Sequence, residues 1–139
     1  TVFEFRHRGG GHTPGDMMVW LPHAKVAFAG DIVYVDRLLA VLPVSSTRAW
    51  LDAFMALEQW EPQRIVPGHG RVTDLPAARS QTRAYLEALR AHMKRAVDQG
   101  VDISEAVKSF DARPFLHLSN AAELNPGNAN RTYLEVERE

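Results

Sequence analysis

The chain has 139 residues, the size of a single domain, and 45% of them are hydrophobic while 24% are charged. Its formal net charge of -1 excludes the strongly basic surface that partners such as nucleic acid or an anionic membrane require. There are 0 cysteines, so disulfides and thiolate metal ligands are excluded, and any metal ion must be held by histidine and carboxylate side chains.

Three short strands are predicted within the first thirty or so residues. The segment TVFEFRH alternates apolar and polar residues, and this pattern predicts a half-buried strand with Val2, Phe3 and Phe5 in the core. MMVWL and KVAFAG predict two more strands, joined by a tight hairpin at LPHA in which Pro22 sets the turn. After Asp31, the stretch IVYVDRLLAVLPVSS is apolar without a regular period, which favours a partly buried crossing loop.

A helix and a short strand are predicted next. STRAWLDAFMALEQW begins with Ser46 or Thr47 as the N-cap and places Trp50, Phe54 and Leu57 on one face, so this helix is expected to pack on the sheet. A strand around residues 64–66 follows and is expected to end at a proline, in the sequence RIVPGHG.

The rest of the chain is predicted to be helical. A long helix should run from Leu75 to about Gln99 and stop at Gly100, and DISEAVKSF predicts a short helix. NPGNANRTYLEVERE predicts a turn that leads into a terminal helix. The fold class is therefore α/β, with a short sheet packed with helices over residues 1–74 and a helical C-terminal extension over residues 75–139 that packs on it.

Residues with metal-ligand chemistry follow three of the predicted strands. His12 lies in a glycine-rich loop after the first strand, Asp31 ends KVAFAG, and His69 follows RIV. Because loops at strand ends converge while the strands hold them rigid, we expect these three side chains to lie close together. Imidazole and carboxylate suit zinc, iron or manganese, and a carboxylate can bridge two metal ions.

The motifs GHTPGD, VAFAGD and IVPGHG, in this order, resemble the C-terminal half of the metallo-β-lactamase-fold hydrolases, a superfamily that includes glyoxalase II-like thioesterases. The resemblance covers roughly residues 2–71 and implies half of an αββα sandwich with a mainly antiparallel sheet. It implies a binuclear site in which His12 is a terminal ligand of one metal, Asp31 bridges, and His69 is a terminal ligand of the other. Zinc is the expected metal, with iron or manganese as alternatives, and Asp16 is not assigned to the site.

The sequence departs from this family in one respect. The HxHxDH loop, which supplies the other metal ligands in the family, is absent, and His7, His23, His92 and His117 stand in no such pattern. The binuclear site is thus only partly encoded in these residues. We interpret the chain as a metal-dependent hydrolase of a small-molecule ester, thioester, amide or phosphoester, or as its C-terminal fragment, and expect an isolated monomer to be inactive.

A non-catalytic function is the alternative. A histidine in a glycine-rich loop is ordinarily a hydrogen-bonded loop residue, and Asp31 could cap nearby backbone amides. On this interpretation the chain is a half-domain whose sheet face and edge are covered by self-association or by a missing N-terminal half. A homo-oligomer is expected. The N-terminus does not resemble a signal peptide and no run of residues is apolar enough to span a bilayer, so the compartment stays open with the cytoplasm favoured.

Overall fold

Four strands form one sheet in the structure, a computed structural model that describes all residues 1–139. The strands are β1 Glu4–His7, β2 Met17–Leu21, β3 Val26–Tyr34 and β4 Arg64–His69. They lie in the order β1-β2-β3-β4, and only the β3–β4 pair is parallel. The predicted α/β class with a short, mainly antiparallel sheet is confirmed.

Helices account for most of the chain after the sheet. They are α1 Thr47–Glu58, α2 Leu75–Ala78, α3 Ala84–Asp98, α4 Ile103–Ser109 and α5 Ala121–Glu137. A π-helical turn at Arg79–Arg83 joins α2 to α3, so the predicted long helix is one helical path with a local irregularity. Ser46 is the N-cap of α1, because its hydroxyl accepts a hydrogen bond from the Ala49 amide. None of these helices combines the length and the apolar surface that crossing a bilayer requires.

Two strands run further than the sequence predicts. β3 does not end at Asp31 but continues to Tyr34, with its register against β4 shifting around Gly30, whose φ is 52°. β4 continues through Pro67 to His69. Proline is tolerated there because β4 is an edge strand, and backbone N–H groups on its outer side form no hydrogen bonds to a neighbouring strand. Both extensions bring the two strand ends alongside each other.

The predicted core positions at the N-terminus are wrong. Val2, Phe3 and Phe5 are 64%, 53% and 69% exposed. Side chains alternate between the two faces of a strand, and Arg6 occupies the face of β1 that meets α1, with its guanidinium 4.5 Å above the Trp60 ring. Phe5 therefore points to the opposite face of the sheet, which no helix covers.

The predicted turn before the last helix is also wrong. α5 begins at Ala121 and contains Pro126, although proline removes one hydrogen bond from a helix interior. The helix persists because Asn128, Ala129 and Thr132 are buried between it and the rest of the protein. Here tertiary packing outweighs local propensity.

A single cluster of 31 buried hydrophobic residues forms the core between the helices and one face of the sheet. Its largest fully buried members on α1 and α3 include Trp50, Phe54, Leu57, Leu86 and Leu89. The predicted apolar stripe of α1 is thus confirmed, and it packs α1 against β3, where the Trp50 indole donates to the Ile32 carbonyl. The cluster includes residues on both sides of residue 74, and the domain boundary there stays a prediction.

Candidate metal site

The structure places the carboxylate of Asp31 between two imidazoles. The Nε2 atom of His12 lies 3.4 Å from Asp31 Oδ2, and the Nε2 atom of His69 lies 3.5 Å from Asp31 Oδ1. The three residues come from the loop after β1, the second half of β3 and the end of β4. Each oxygen of one carboxylate therefore faces a different histidine.

His12 is held in a single orientation. Its Nδ1 lies 2.9 Å from the carbonyl oxygen of Ala40, which can only accept a hydrogen bond, so Nδ1 carries the proton. The Nε2 lone pair is then free and faces Asp31. The His12 side chain is 10% exposed, and its ring packs edge-on against Trp50, whose indole N–H donates to the Ile32 carbonyl.

His69 rests on an aromatic ring that the core holds in place. The imidazole stacks on Tyr34 with the ring centroids 4.6 Å apart and the planes 21° from parallel. Thr82, from the π-helical turn, accepts a hydrogen bond from the Tyr34 amide and donates one to the Tyr34 carbonyl. Burial, with a further contribution from the charge of Asp31, raises the pKa of the Tyr34 hydroxyl, which stays neutral at physiological pH.

Two glycines give the site its space. A Cβ atom at Gly68 would collide with the Asp31 carboxylate and with the backbone of Gly30, so only glycine lets β4 pass this close to β3. Gly10 has a φ of 86°, which turns the loop that carries His12. Asp16 accepts hydrogen bonds from the amide and hydroxyl of Thr13 and thus belongs to the loop's internal bonding.

The spacing of the donor atoms fits a metal ion better than a direct hydrogen bond. Nitrogen–oxygen hydrogen bonds are about 2.7–3.2 Å long, shorter than both contacts. Two ligand atoms bound to one tetrahedral zinc ion are about 3.3–3.6 Å apart, and the observed 3.4 and 3.5 Å lie in this range. Nowhere in the chain do three or more histidine or acidic side chains converge so as to hold one metal ion. Each side of Asp31 offers only two ligand atoms, one imidazole nitrogen and one carboxylate oxygen.

The match to a family model covers the same residues as this geometry. A family model described as the metallo-beta-lactamase superfamily matches residues 2–69, a range that ends on the second imidazole. Over these residues the chain is similar to the metallo-β-lactamase superfamily. Among curated proteins, none matches the sequence.

Solved metallo-β-lactamases share the fold of this segment. DIM-1 metallo-β-lactamase is 30% identical with a TM-score of 0.55, and the match covers 61% of this chain and 41% of that one. A metallo-β-lactamase from Pontibacter korlensis is 29% identical with a TM-score of 0.55, and again 61% and 41% are covered. This chain thus spans about two fifths of the length of these relatives, and it forms a part, about half, of the metallo-β-lactamase fold.

Residues outside the three predicted positions help to orient the candidate metal ligands. Tyr34, the Ala40 carbonyl and Thr82 orient the two histidines, and only the proximity of Tyr34 to Asp31 in the sequence hinted at any of them. Of the other histidines, His7 contacts the Asp16 carbonyl and His92 the Ala106 carbonyl, both through a ring nitrogen at 2.9 Å. The remaining two, His23 and His117, are exposed.

Proposed function

We propose that the chain supplies one half of a binuclear metal site in a metal-dependent hydrolase. His12 and His69 would be terminal ligands of different metal ions, and Asp31 would bridge them. The observation that carries this proposal is the division of one carboxylate between two imidazoles at 3.4 and 3.5 Å. Zinc fits this donor set, and iron and manganese accept the same ligands.

The residues around the site prepare it for hydrolysis. A bound metal pair supplies hydroxide near neutral pH and polarises a carbonyl or phosphoryl oxygen. His12 presents its Nε2 lone pair because the Ala40 carbonyl holds the proton on Nδ1. Trp50 and Tyr34 exclude water from the inner side of the site, whereas the side chains of Asp31 and His69 are 32% and 39% exposed. Substrate can approach only from that open side.

Further ligands must complete the site. Catalytic zinc sites have about three protein ligands per metal ion, and each side of Asp31 offers two. We propose that an N-terminal half of the fold, carrying an HxHxDH segment, provides the others, either in the same polypeptide or as a separate subunit. The bond that is cleaved would be an ester, thioester, amide or phosphoester of a small molecule.

The uncovered face of the sheet is a second reason to propose an N-terminal half. Phe5, Val19, Phe28 and Val66 lie directly opposite one another across the four strands. Of these, Phe5 is 69% and Phe28 42% exposed, so an apolar row crosses the whole sheet in contact with solvent. The matched part of this chain covers only 41% of the DIM-1 relative, which leaves room for a second sheet to cover the row. Where no such half is present, we expect a second copy to cover it.

Metal-dependent hydrolysis tests this function. The intact protein is assayed on nitrophenyl esters, a thioester and a phosphodiester after chelation and after adding back zinc, iron(II) or manganese(II). We expect hydrolysis that requires the metal and falls at least about a hundredfold in Asp31→Asn. Asp52→Asn, an exposed aspartate on α1, is the control and should retain activity. Equal activity in Asp31→Asn and in the unmodified protein would contradict the proposal.

A further inference from the structure

A cavity of about 490 Å³ lies between the segment that precedes α1 and the C-terminal half of α5. Small-molecule sites in proteins are of this size, roughly 300–1,000 Å³. Leu42, Pro43 and Leu134 give the cavity an apolar wall, and the side chains of Arg131 and Arg138 line it too. None of the candidate metal ligands lines it, so the cavity is distinct from the metal site.

The charge of the cavity is positive. Arg131 uses one of its donors for the Val41 carbonyl at 2.7 Å, and Arg138 is exposed and forms no ion pair. The only acidic residue in the lining is Glu135. Its carboxylate accepts hydrogen bonds from two amides in the first turn of α1 and lies 3.6 Å from Arg90. Two guanidinium groups therefore line the cavity without a carboxylate partner.

The cavity lies behind the loop that carries His12. Ser45 lines the cavity, and its hydroxyl donates to the His12 carbonyl at 2.6 Å and accepts from the Leu42 amide at 2.8 Å. The ring of His12 faces Asp31 through Nε2, whereas its backbone carbonyl faces Ser45. A ligand in the cavity would thus contact a support of His12 without lying among the metal-ligand atoms.

We propose that this cavity binds a small organic acid, a carboxylate on an apolar body, as a regulatory ligand that is separate from the substrate. The carboxylate lies at the two arginines, because the guanidinium fork matches its two oxygens. The body lies against the three apolar side chains and is removed from water there. Because the ligand bridges α5 and Ser45, it holds the backbone of His12 in place. This regulatory role rests on the proposed metal site, whereas the binding itself does not.

Binding can be measured without any catalysis. The intact protein, labelled with nitrogen-15, is titrated with benzoate, benzamide and inorganic phosphate while the Nε–H resonance of Arg138, assigned by its loss in Arg138→Lys, is followed by NMR. We expect a saturable shift with benzoate and at least about tenfold weaker binding of the other two, because benzamide lacks the charge and phosphate lacks the apolar body. Benzamide or phosphate binding as tightly as benzoate would overturn the proposed ligand class.

Three variants locate the bound carboxylate. Followed through the Ser45 amide resonance, Arg138→Met should weaken benzoate binding at least about tenfold, since charge-assisted hydrogen bonds are lost. Arg64→Met, at an exposed arginine that begins β4, is the matched control and should bind benzoate unchanged. Asp31→Asn should also bind it unchanged. Equal binding in Arg138→Met, or loss of binding in Asp31→Asn, would overturn the inference, the latter because it would place the carboxylate at the metal site.

Hydrogen exchange tests the regulatory role. The amides of Leu42, Ser45 and Ser46 donate to the Ser45 hydroxyl, the Leu42 carbonyl and the Gly11 carbonyl. At a benzoate concentration ten times the dissociation constant, exchange of these three amides should slow about tenfold, because the ligand must leave before the segment opens. Unchanged exchange at saturation would reject the regulatory role.

Discussion

At the scale of single residues, the candidate site depends on how closely β3 and β4 approach. The Asp31 carboxylate fills the volume that a side chain at Gly68 would need. The same carboxylate faces both imidazoles, so any group that displaces it separates the donors on both sides. Gly68 is therefore required for the geometry of the site, because the absence of a side chain leaves room for the Asp31 carboxylate.

Substitution of Gly68 tests this dependence. Gly68→Ala should destabilise the protein by about 1–3 kcal/mol, because the new Cβ would lie 2.7 Å from the Gly30 carbonyl carbon and 2.8 Å from the Asp31 amide. The measurement is the midpoint and slope of urea unfolding.

A matched glycine provides the control for this change. Gly15 has open space around the position of a Cβ, so Gly15→Ala should change stability by no more than about 0.5 kcal/mol. If the two variants unfold at the same urea concentration, the proposed close approach of the strands is wrong.

At this scale the sequence predicted that His12, Asp31 and His69 lie close together, as they do, but it did not predict the residues that orient them. His12, Asp31 and His69 were recognisable because each one follows an apolar strand segment beside glycines. The orienting residues Tyr34 and Thr82 were not, since their roles arise from stacking and from contacts 48 residues apart in the chain. Metal binding by these three residues stays a prediction.

At the scale of elements, α5 holds the loop that orients His12. Asn128 is 1% exposed; its side-chain oxygen accepts from the Val41 amide, and its side-chain nitrogen donates to the Leu39 carbonyl, both at 2.8 Å. These two residues flank Ala40, whose carbonyl holds His12. The C-terminal helix thus determines the position of a backbone atom at the site.

Removal of this side chain should loosen the loop. Asn128→Ala leaves two buried backbone groups unpaired, at a cost of about 1–3 kcal/mol each, and should speed amide hydrogen exchange in residues 39–46. Asn130→Ala, two residues further along α5 and exposed, is the control and should leave exchange there unchanged. Equal protection of residues 39–46 in both variants would show that α5 does not support the loop.

Two elements, β1 and α5, differ from what the sequence predicts. Alternation along TVFEFRH correctly predicted a strand, but the pattern does not show which face the helices cover, and Arg6 rather than Phe5 meets α1. The proline and glycine of NPG predicted a turn, but burial of α5 keeps them helical. Both errors arose because tertiary contacts decide between locally similar alternatives.

At the scale of the whole molecule, the sheet is packed on one face only. Helices cover the face that carries Met18 and Trp20, whereas the opposite face presents Phe5, Met17 and Phe28 at 69%, 50% and 42% exposure. An apolar sheet face of this kind is unfavourable in water, and a partner sheet would bury it.

We expect the 139-residue chain to self-associate through this face. Expressed alone, the chain should form oligomers whose mass by light scattering rises with concentration, because burying the face removes apolar surface from water. Phe5→Glu combined with Phe28→Glu should shift the chain towards a monomer. Met55→Glu, at a residue on α1 that is 45% exposed, similar to Phe28, should leave the mass of the chain unchanged. A folded, monomeric chain at every concentration would argue against a partner for this face.

The metal content of the intact protein, purified without chelator, shows directly whether His12, Asp31 and His69 bind metal ions. We predict that His12→Ala and His69→Ala each lower the ratio of metal to protein. Asp31→Asn should lower it furthest, because both sides of the site lose a donor, and His117→Ala should leave it unchanged. The same ratio in Asp31→Asn as in the unmodified protein would contradict a metal site at these residues.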